Sequence, residues 1–346
     1  MANKSTGSTP ITGALITGGG GFLGSHLAER YLRAGHPVIV VDNFCTGMRS
    51  NVEFLNQLAK EKATAFLAIE ANVIEDWSTW SREIPKATLS KISHVFHFAS
   101  PASPPLYQEL AFDTLWVNTK GLERALAFAD DLAARVIFAS TSEIYGDPLI
   151  TPQPESFWGN VNSFGYRSCY DEAKRFGESL IFTHNWKKKT HHGLVRIFNT
   201  YGPRMNPSDG RVIINFLTQA LRSEPLTLYG DGSQTRSFCY VTDLVEGITR
   251  YAETKLIEPV NLGNDREFSL LELVEVIQTI FAPKKLELVH QALPHDDPRQ
   301  RRPDLTTART LLNAWAPQVQ LKEGLIKMRA WLEADGLDSN KPKGDK

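Results

Sequence analysis

The feature that most constrains the fold of this chain is a run of glycines between a short strand and a helix. Residues 14–17 read Ala-Leu-Ile-Thr, an apolar run typical of a buried strand, and residues 18–24 then read Gly-Gly-Gly-Gly-Phe-Leu-Gly. A helical pattern follows over residues 25–34 and ends at Gly35. A strand, a glycine turn and a helix in this order predict the first βα unit of a doubly wound parallel sheet.

The same glycines predict a turn that binds phosphate. Gly18 lets the chain turn, Gly21 lets the backbone approach a pyrophosphate, and Gly24 lets the helix pack on the strand. Four consecutive glycines also suit a plain flexible turn, but the next strand, residues 37–41, leads into Asp42. A carboxylate there accepts hydrogen bonds from a ribose 2′-hydroxyl and repels a 2′-phosphate. The pattern therefore predicts a dinucleotide cofactor and favours NAD over NADP.

A later strand carries small polar residues to the edge of the predicted sheet. Residues 134–139 form an apolar run that is followed closely by Thr141, Ser142 and Glu143. Ligands bind at the carboxyl edge of such sheets, so these side chains are candidates for a site. Taken alone, Thr141 is more typical of a cap and Glu143 of a surface carboxylate.

Tyr170 and Lys174 are the candidate proton-transfer pair. They lie four positions apart in a segment that has no proline or glycine before Gly177, so on a helix they share one face. A tyrosine beside a lysine cation ionises more easily than a free phenol. Such a pair is usually only solvated, but its combination with the nucleotide motif and with Thr141 indicates catalysis.

Strand and helix patterns alternate along the chain and predict an α/β fold. Further strands are predicted at residues 65–69, 94–99, 193–198 and 259–263, with a helix over residues 112–131. This alternation predicts a Rossmann-type doubly wound parallel sheet with a smaller α/β substrate-binding domain. The predicted boundaries are residues 12–198 and 240–263 for the NAD-binding domain, residues 199–239 and 264–335 for the substrate-binding domain, and flexible tails at residues 1–11 and 336–346.

Composition limits the classes of partner. The 346 residues are 42% hydrophobic with a formal net charge of −1, and no basic stripe indicates nucleic acid binding. No apolar run approaches membrane-spanning length, and residues 1–12 resemble a flexible leader rather than a signal peptide. The three cysteines are too far apart in sequence to indicate a metal site or a disulfide framework. We therefore expect a cytoplasmic enzyme without a metal.

These motifs together resemble those of the extended short-chain dehydrogenase/reductase superfamily. Within it the chain is similar to the UDP-glucuronate decarboxylases, also called UDP-xylose synthases. The resemblance covers roughly residues 13–333. Its most specific parts are residues 99–105, 141–148, 167–172, 196–205 and 230–236, the last reading Gly-Asp-Gly-Ser-Gln-Thr-Arg.

The resemblance implies a chemical role for each of five residues. Oxidation of the sugar C4 hydroxyl with NAD+ makes the carboxylate part of a β-keto acid, which loses CO2 readily. Tyr170 would remove the C4 hydroxyl proton, Lys174 would lower the pKa of Tyr170 and hold the nicotinamide ribose, and Thr141 would bind the C4 oxygen. Arg236 would orient the carboxylate, and Glu143 would assist decarboxylation and handle the C5 proton. The implied product is UDP-xylose, UDP-4-keto-pentose, or both.

The motifs and the resemblance also imply the binding residues and a homodimer. The predicted cofactor-binding residues are Gly18, Gly21, Phe22, Leu23, Gly24, Asp42, Asn43, Thr46, Gly47, Asn72, Val73, Phe98, Ser100, Tyr170, Lys174 and Thr200. The predicted residues for the UDP-sugar are Ser142, Asn199, Arg211, Asn215, Tyr229, Arg236 and Arg301. Helices near residues 112–131 and 167–186 are expected to form the dimer interface.

The chain departs from the family pattern at several positions. Trp116 stands where the family usually has a lysine, Asn72 stands where an aspartate is usual, and residues 73–93 form a longer segment. Asp130 and Asp131 replace a basic pair.

Two other functions remain open from the sequence. A nucleotide-sugar 4-epimerase or 4,6-dehydratase would share the fold and the tyrosine–lysine pair, but it would not need a carboxylate-binding Arg236. A non-catalytic NAD-binding regulator would usually lack Tyr170 or Lys174, and both are present.

Overall fold

The computed structural model describes residues 8–292 and 300–336, and the strands within them begin and end close to the predicted positions. In chain order the strands are β1 Ala14–Thr17, β2 Val38–Asp42, β3 Phe66–Glu70, β4 His94–His97, β5 Arg135–Thr141, β6 Gly193–Ile197, β7 Thr200–Tyr201, β8 Leu226–Tyr229, β9 Thr235–Ser237, β10 Cys239–Tyr240, β11 Val260–Leu262, β12 Glu267–Ser269, β13 Leu288–Gln291 and β14 Gln300–Arg301. The predicted strands at residues 65–69, 94–99, 193–198 and 259–263 correspond to β3, β4, β6 and β11.

One parallel sheet organises the described chain. Its seven strands lie in the order β11-β6-β5-β4-β1-β2-β3, and every neighbouring pair runs parallel. Strands β1, β2, β4 and β5 are buried along their whole length, because helices cover both faces of the sheet. The predicted doubly wound α/β fold is confirmed.

Helices lie on both sides of the sheet and beyond it. They are α1 Phe22–Arg33, α2 Arg49–Glu61, α3 Ser78–Ser81, α4 Lys86–Leu89, α5 Pro104–Glu109, α6 Ala111–Trp116, α7 Leu122–Asp131, α8 Ser168–Lys188, α9 Val212–Arg222, α10 Val241–Ala252, α11 Leu270–Phe281, α12 Thr306–Leu311 and α13 Leu321–Trp331. Two large apolar clusters fill the two sides: one contains Ile16, Phe96 and Ile137, and the other contains Leu15, Val95 and Phe138. Successive residues of β1 therefore serve opposite layers.

The helix predicted over residues 112–131 is helical throughout, but it contains a π-helical turn, Val117–Gly121, between α6 and α7. Such a turn is wider than the regular α-helical turn. Nε2 of the buried His97 lies 2.9 Å from the Val117 carbonyl oxygen. The apolar periodicity of the sequence continues through such a turn, so it did not reveal the wider turn.

Two helices begin next to side chains that bind backbone amides. Ser269 and Glu272 form a capping box at the start of α11. Near α12, the Asp304 carboxylate accepts a hydrogen bond from the Thr306 amide at 2.8 Å. The predicted tail after residue 336 lies outside the described residues.

Smaller sheets lie beyond the main one. Strands β12, β9 and β14 form one sheet, β13 pairs with β8, and β10 pairs with β7. Apart from Tyr240 in β10, these strands lie within residues 199–239 and 264–335, in which the substrate-binding domain was expected, although the domain boundaries themselves stay a prediction. Within the described residues no helix has the length and apolar character needed to cross a membrane.

The strand order places the site. The chain proceeds from β1 outward through β2 to β3, and then returns to the other side of β1 for β4, β5, β6 and β11. The switch lies between β1 and β4, where the connections leave in opposite directions and open a crevice at the carboxyl ends of the strands. Thr17, His97 and Thr141 end the strands at this edge.

Candidate active site

The described residues enclose a cavity of about 840 Å³ at this edge of the sheet. With one exception, all the predicted catalytic, cofactor-binding and substrate-binding residues line it. The exception is Gly47, which packs against the Asp42 carboxylate; a Cβ on Gly47 would lie 2.8 Å from Asp42 Oδ1. The fold thus brings together residues that are separated by up to 283 positions, from Gly18 to Arg301.

The end of β5 delivers Thr141 and Glu143 to the cavity. The strand is buried throughout and gives way to a 3₁₀ turn, Ser142–Tyr145. Thr141 caps this turn, because its Oγ1 accepts a hydrogen bond from the Glu143 amide at 3.2 Å. The capping role and the proposed substrate contact therefore belong to the same hydroxyl.

Helix α8 presents Tyr170 and Lys174 from its buried first turns. The Lys174 Nζ donates to the Ala139 carbonyl at 2.7 Å and lies 5.5 Å from the centre of the Tyr170 ring. The Tyr170 ring stacks on Tyr107, with ring centres 4.9 Å apart and planes nearly parallel. The phenol therefore contacts a second aromatic ring and lies close to a lysine.

The pKa of Tyr170 differs from the sequence-based expectation. Burial raises this pKa and the nearby Glu143 raises it further, while a hydrogen bond with Thr141 works in the opposite direction. Burial also lowers the pKa of Lys174 to about 7. We expected Lys174 to lower the Tyr170 pKa. The net shift is upward instead, because desolvation of the phenol dominates and the Lys174 ammonium is directed to a backbone carbonyl.

Glu143 is held by two arginines. Arg301 Nη1 donates to Glu143 Oε1 at 2.8 Å, and Arg167 Nη2 donates to Oε2. Burial alone would raise the pKa of Glu143, but the two guanidinium groups outweigh it and lower the pKa. The pKa of Asp171, which lies near Glu143, is raised first by burial and then by the Glu143 charge.

The strands β9 and β14 place two arginines next to each other. Arg301 pairs in register with Arg236, and both side chains are buried and line the cavity. Arg236 Nη1 donates to the Thr235 carbonyl at 2.8 Å, which fixes the direction of its side chain. Arg211, the third predicted cation, is paired with Asp209, whose Oδ2 accepts from Nη2 at 2.9 Å. The cavity thus concentrates positive charge that suits an anionic ligand.

At the other end of the cavity the glycine turn meets α1. A Cβ at Gly24 would lie 2.1 Å from the Gly18 carbonyl oxygen, so only glycine lets the helix start so close to the strand. The first turn of α1 contains no acidic residue, and its residues Phe22 and Leu23 line the cavity. This end is therefore suited to a diphosphate, which the helix N-terminus attracts.

Comparison with known families identifies the arrangement. The model of the NAD dependent epimerase/dehydratase family matches residues 14–263. The chain belongs to this family. The match includes the glycine turn, Asp42 and the Tyr170–Lys174 pair, and NAD is accordingly the cofactor.

Individual relatives narrow the comparison within the epimerase/dehydratase family. UDP-glucuronic acid decarboxylase 2 of Arabidopsis thaliana is 45% identical over 91% of this chain, which spans 66% of that relative. UDP-glucuronic acid decarboxylase 5 of the same plant is 44% identical over 91% of this chain and 87% of its own length. Among solved structures, UDP-glucuronic acid 4-epimerase from Bacillus cereus, in complex with UDP-glucuronic acid and NAD, is 25% identical with a TM-score of 0.78, covering 92% of this chain and 98% of that chain.

The residues of this family member fit the dinucleotide. Asp42 is buried at the end of β2, where Oδ2 accepts from the Gly20 amide and Oδ1 from the Phe44 amide, each at 2.8 Å. These bonds fix the carboxylate beside the turn and leave lone pairs on both oxygens for ribose hydroxyls. The amides that begin α1 would hold the pyrophosphate, and Lys174 would hold the nicotinamide ribose.

We expect Asp42 to set the preference of this enzyme for NAD+ over NADP+. Replacement of Asp42 with alanine should weaken NAD+ binding by about 1 to 3 kcal/mol, the range for a lost hydrogen bond to a charged group, and bring the affinities for the two dinucleotides closer. Calorimetric titration of both cofactors measures the change. The melting temperature serves as the control, because Asp42 also holds the turn; equal affinities in the unaltered protein would contradict the assignment.

Two of the departures from the family pattern differ in their distance from the cavity. Trp116 is not among the described residues that line the cavity, and its ring packs under Lys120, with Nζ 4.3 Å from the ring centre. The longer segment 73–93 begins at the cavity, which Val73 and Ile74 line.

The same segment forms two short helices, α3 and α4. Its Trp77 and Trp80 pack against Phe128.

Three side chains that could ligate a metal lie together where α7, α8 and the residue before β6 meet. Asp130, His184 and His192 bring ligand atoms within 4.8 Å of one another. However, Lys188 Nζ already donates to Asp130 Oδ2 at 2.7 Å, and His192 Nδ1 accepts from the Val136 amide at 2.9 Å. A neutral His192 then carries its proton on Nε2, the atom that a metal would need. The group is explained by these internal bonds, and the absence of a metal stays a prediction.

Sequence reasoning missed three residues around Glu143. Arg167 lies three positions before Tyr170, and Asp171 follows Tyr170 directly. The ring of Tyr107 stacks on the ring of Tyr170. Arg167 and Asp171 both belong to the motif at residues 167–172. Their position about one helical turn apart could have indicated that they lie at the same site. Nothing in the sequence near Tyr107 indicates that its ring meets Tyr170.

Proposed function

We propose that this protein is an NAD-dependent UDP-glucuronate decarboxylase. The observation that carries the proposal is the juxtaposition of two groups in one cavity. Arg236 and Arg301 form an anion-binding pair on neighbouring strands, while Thr141 and Tyr170 lie together at the end of β5. The names of the relatives at 44–45% identity support the same substrate and reaction.

The chain's own residues divide the work on the substrate. Tyr170 would take the proton of the sugar C4 hydroxyl, and Thr141 would hold the C4 oxygen through its hydroxyl. NAD+, when bound, accepts the hydride from C4. Arg236 would hold the C6 carboxylate by its planar guanidinium, and Glu143 would handle the proton at C5 after CO2 has left.

The oxidation at C4 explains why a decarboxylase uses this fold. A carboxylate β to a carbonyl loses CO2 with its bonding electrons delocalised into the carbonyl, so the residues need only orient the group and protonate C5. Re-reduction of the C4 ketone gives UDP-xylose, and release before re-reduction gives UDP-4-keto-pentose. Product analysis after a single turnover distinguishes these two outcomes.

A 4-epimerase acting on the same substrate is the competing function. The B. cereus epimerase is described with UDP-glucuronic acid, so a carboxylate-binding cavity alone does not separate the two reactions. The higher identity to decarboxylases, 44–45% against 25%, favours decarboxylation.

Substrate selection tests the proposal. The protein is incubated separately with UDP-glucuronate, UDP-glucose and UDP-N-acetylglucosamine in the presence of NAD+, and consumption of each sugar is followed by chromatography. We expect turnover of UDP-glucuronate alone, because only this sugar offers a carboxylate to Arg236. Conversion of the neutral sugars at a comparable rate would assign the protein to the epimerases or dehydratases.

We also infer a homodimer formed by α6, α7 and α8. Helices α6 and α8 expose large aromatic side chains: Phe112 is 74% exposed, Phe182 68% and Trp186 57%. Phe182 and Trp186 are four positions apart on α8 and so share a face. Apolar side chains concentrated on neighbouring helices are typical of an interface, and a twofold axis would bring the same helices of two copies together.

Replacement of Phe182 with aspartate should dissociate this dimer, since it places a charge in the apolar contact. Light scattering at micromolar concentration should give the mass of a monomer for the variant and of a dimer for the unaltered protein. Leu149→Asp is the matched control, because Leu149 is 78% exposed but lies outside these helices. A monomeric unaltered protein would contradict the inference.

The proposed place of action is the cytoplasm. Cys45, Cys169 and Cys239 are all free thiols in the structure, which is the state expected in a reducing compartment.

A further inference from the structure

Glu143 is fully engaged in this structure. One carboxylate oxygen accepts from Arg167 and the other from Arg301, and the three side chains are between 7% and 9% exposed. A buried carboxylate between two guanidinium groups is held in its ionised form. In this arrangement Glu143 cannot supply a proton, although the proposed reaction needs one at C5.

Arg301, in contrast, uses only part of its donor set. Nη1 is on Glu143, whereas Nε and Nη2 are buried and have no hydrogen-bond partner among the described residues. Unmatched donors on a buried guanidinium are costly. Nε and Nη2 form the edge that binds a carboxylate or phosphate through two parallel hydrogen bonds. Arg301 lines the cavity, so an anion bound there would lie next to a guanidinium that has two unmatched donors.

We propose that Arg301 is shared between Glu143 and an anionic group of the substrate, so that substrate binding weakens the Arg301–Glu143 pair and lets Glu143 take up a proton. The proposal rests on the proposed function, and it gives Arg301 a positioning role beyond simple binding. A second anion on the same guanidinium competes for its charge and adds a like charge near Glu143, and both effects favour the protonated carboxyl.

The other groups that face Glu143 are compatible with this exchange. From α8 and the residue before it come Arg167, Tyr170 and Asp171; Tyr107 comes from α5, and Arg211 precedes α9. Arg167 would keep its contact and hold the carboxyl in place.

Asp171 would relay a proton to Glu143 and regain it from solvent. Its side chain hydrogen-bonds with Glu143, and burial first and then the Glu143 charge raise its pKa. After CO2 leaves, the electron pair of the broken C5–C6 bond lies in the C4–C5 enolate. The O–H bond of Glu143 then breaks as the C5–H bond forms, and Glu143 returns to its ionised, paired state.

The coupling predicts proton uptake on binding. Tyr170→Phe protein with bound NAD+ is titrated near pH 6 with UDP-glucose and with UDP-glucuronate by calorimetry, in two buffers of different ionisation enthalpy. Neither ligand has a group that titrates near this pH, so uptake reports on the protein. We expect uptake of up to one proton per site and an affinity that rises by up to about tenfold per pH unit on acidification.

Comparison of the two ligands shows which substrate anion binds Arg301, and two further variants test whether Glu143 takes up the proton. Uptake with UDP-glucuronate alone assigns the sugar carboxylate to Arg301, and uptake with both ligands assigns the diphosphate. Adding Glu143→Gln to the Tyr170→Phe protein should abolish the proton uptake. Adding Arg302→Met instead should preserve it, because Arg302 neighbours Arg301 in sequence but does not line the cavity.

Binding without uptake, or the same uptake after Glu143→Gln, would overturn the shared Arg301 and leave the proposed function standing. No binding of either UDP-sugar by the folded protein would contradict both.

Discussion

Replacement of Tyr170 with phenylalanine should lower the turnover of UDP-glucuronate by at least about 100-fold, because it removes the group that exchanges a proton with the C4 hydroxyl. The ring and its stacking on Tyr107 remain, so substrate and cofactor should still bind. NADH absorbance should stay flat in a single turnover, since the first chemical step is blocked. Rapid-mixing absorbance and calorimetric binding measure the two quantities.

Tyr107 is the matched control for this experiment. Tyr107→Phe removes one hydroxyl from the other member of the same stacked pair, and Tyr107 Oη has no hydrogen-bond partner among the described residues. Its turnover should stay close to that of the unaltered protein. A Tyr170→Phe protein that converts UDP-glucuronate at the original rate would remove Tyr170 from the chemistry.

Replacement of Glu143 with glutamine should lower kcat by roughly 100-fold, the lower end for loss of a proton-transfer group, with little loss of substrate affinity. The amide cannot carry the proton to C5, and it no longer neutralises Arg167 and Arg301. Because Arg301 is then freer to hold an anion, the affinity for UDP-glucuronate should be unchanged or higher. Steady-state kinetics and binding titrations on the same preparation separate the two effects.

Loss of a buried carboxylate also destabilises a fold, so this variant needs its own control. Glu178→Gln breaks a partly buried ion pair, in which Glu178 Oε2 accepts from Arg196 Nη2 at 2.7 Å, and Glu178 does not line the cavity. Both variants should melt at lower temperature. Only Glu143→Gln should lose kcat by the larger factor; equal losses would mean that Glu143 acts through stability alone.

The parts of the fold that local sequence determines were predictable. The apolar runs that become β1, β2 and β5 are short and bounded by glycine or polar residues, and the chemistry of the turn after β1 allows few alternatives. The Ser269–Glu272 capping box is likewise a signal of four consecutive residues.

The features that depend on distant contacts were not predictable from the residues alone. The Glu143–Arg301 pair joins residues 158 positions apart. The direction of the Tyr170 pKa depends on burial, which neither the residue type nor its spacing to Lys174 reveals. The π-helical turn at Val117–Gly121 leaves the apolar periodicity of the sequence intact.

The candidate site itself was located largely through resemblance. Motif matching placed Arg236 and Arg301 with the substrate, whereas their chain positions alone describe two arginines near turns. Their common location became visible only through the pairing of β9 with β14.

The fate of the C6 carbon tests the central claim most directly. UDP-glucuronate labelled with carbon-13 at C6 is incubated with the protein and NAD+, and the label is followed by nuclear magnetic resonance. Decarboxylation predicts that the label leaves the sugar and appears as CO2 and bicarbonate, in amounts equal to the UDP-pentose formed. Retention of the label in a UDP-hexuronate with inverted C4 would contradict the account and assign the protein to the 4-epimerases.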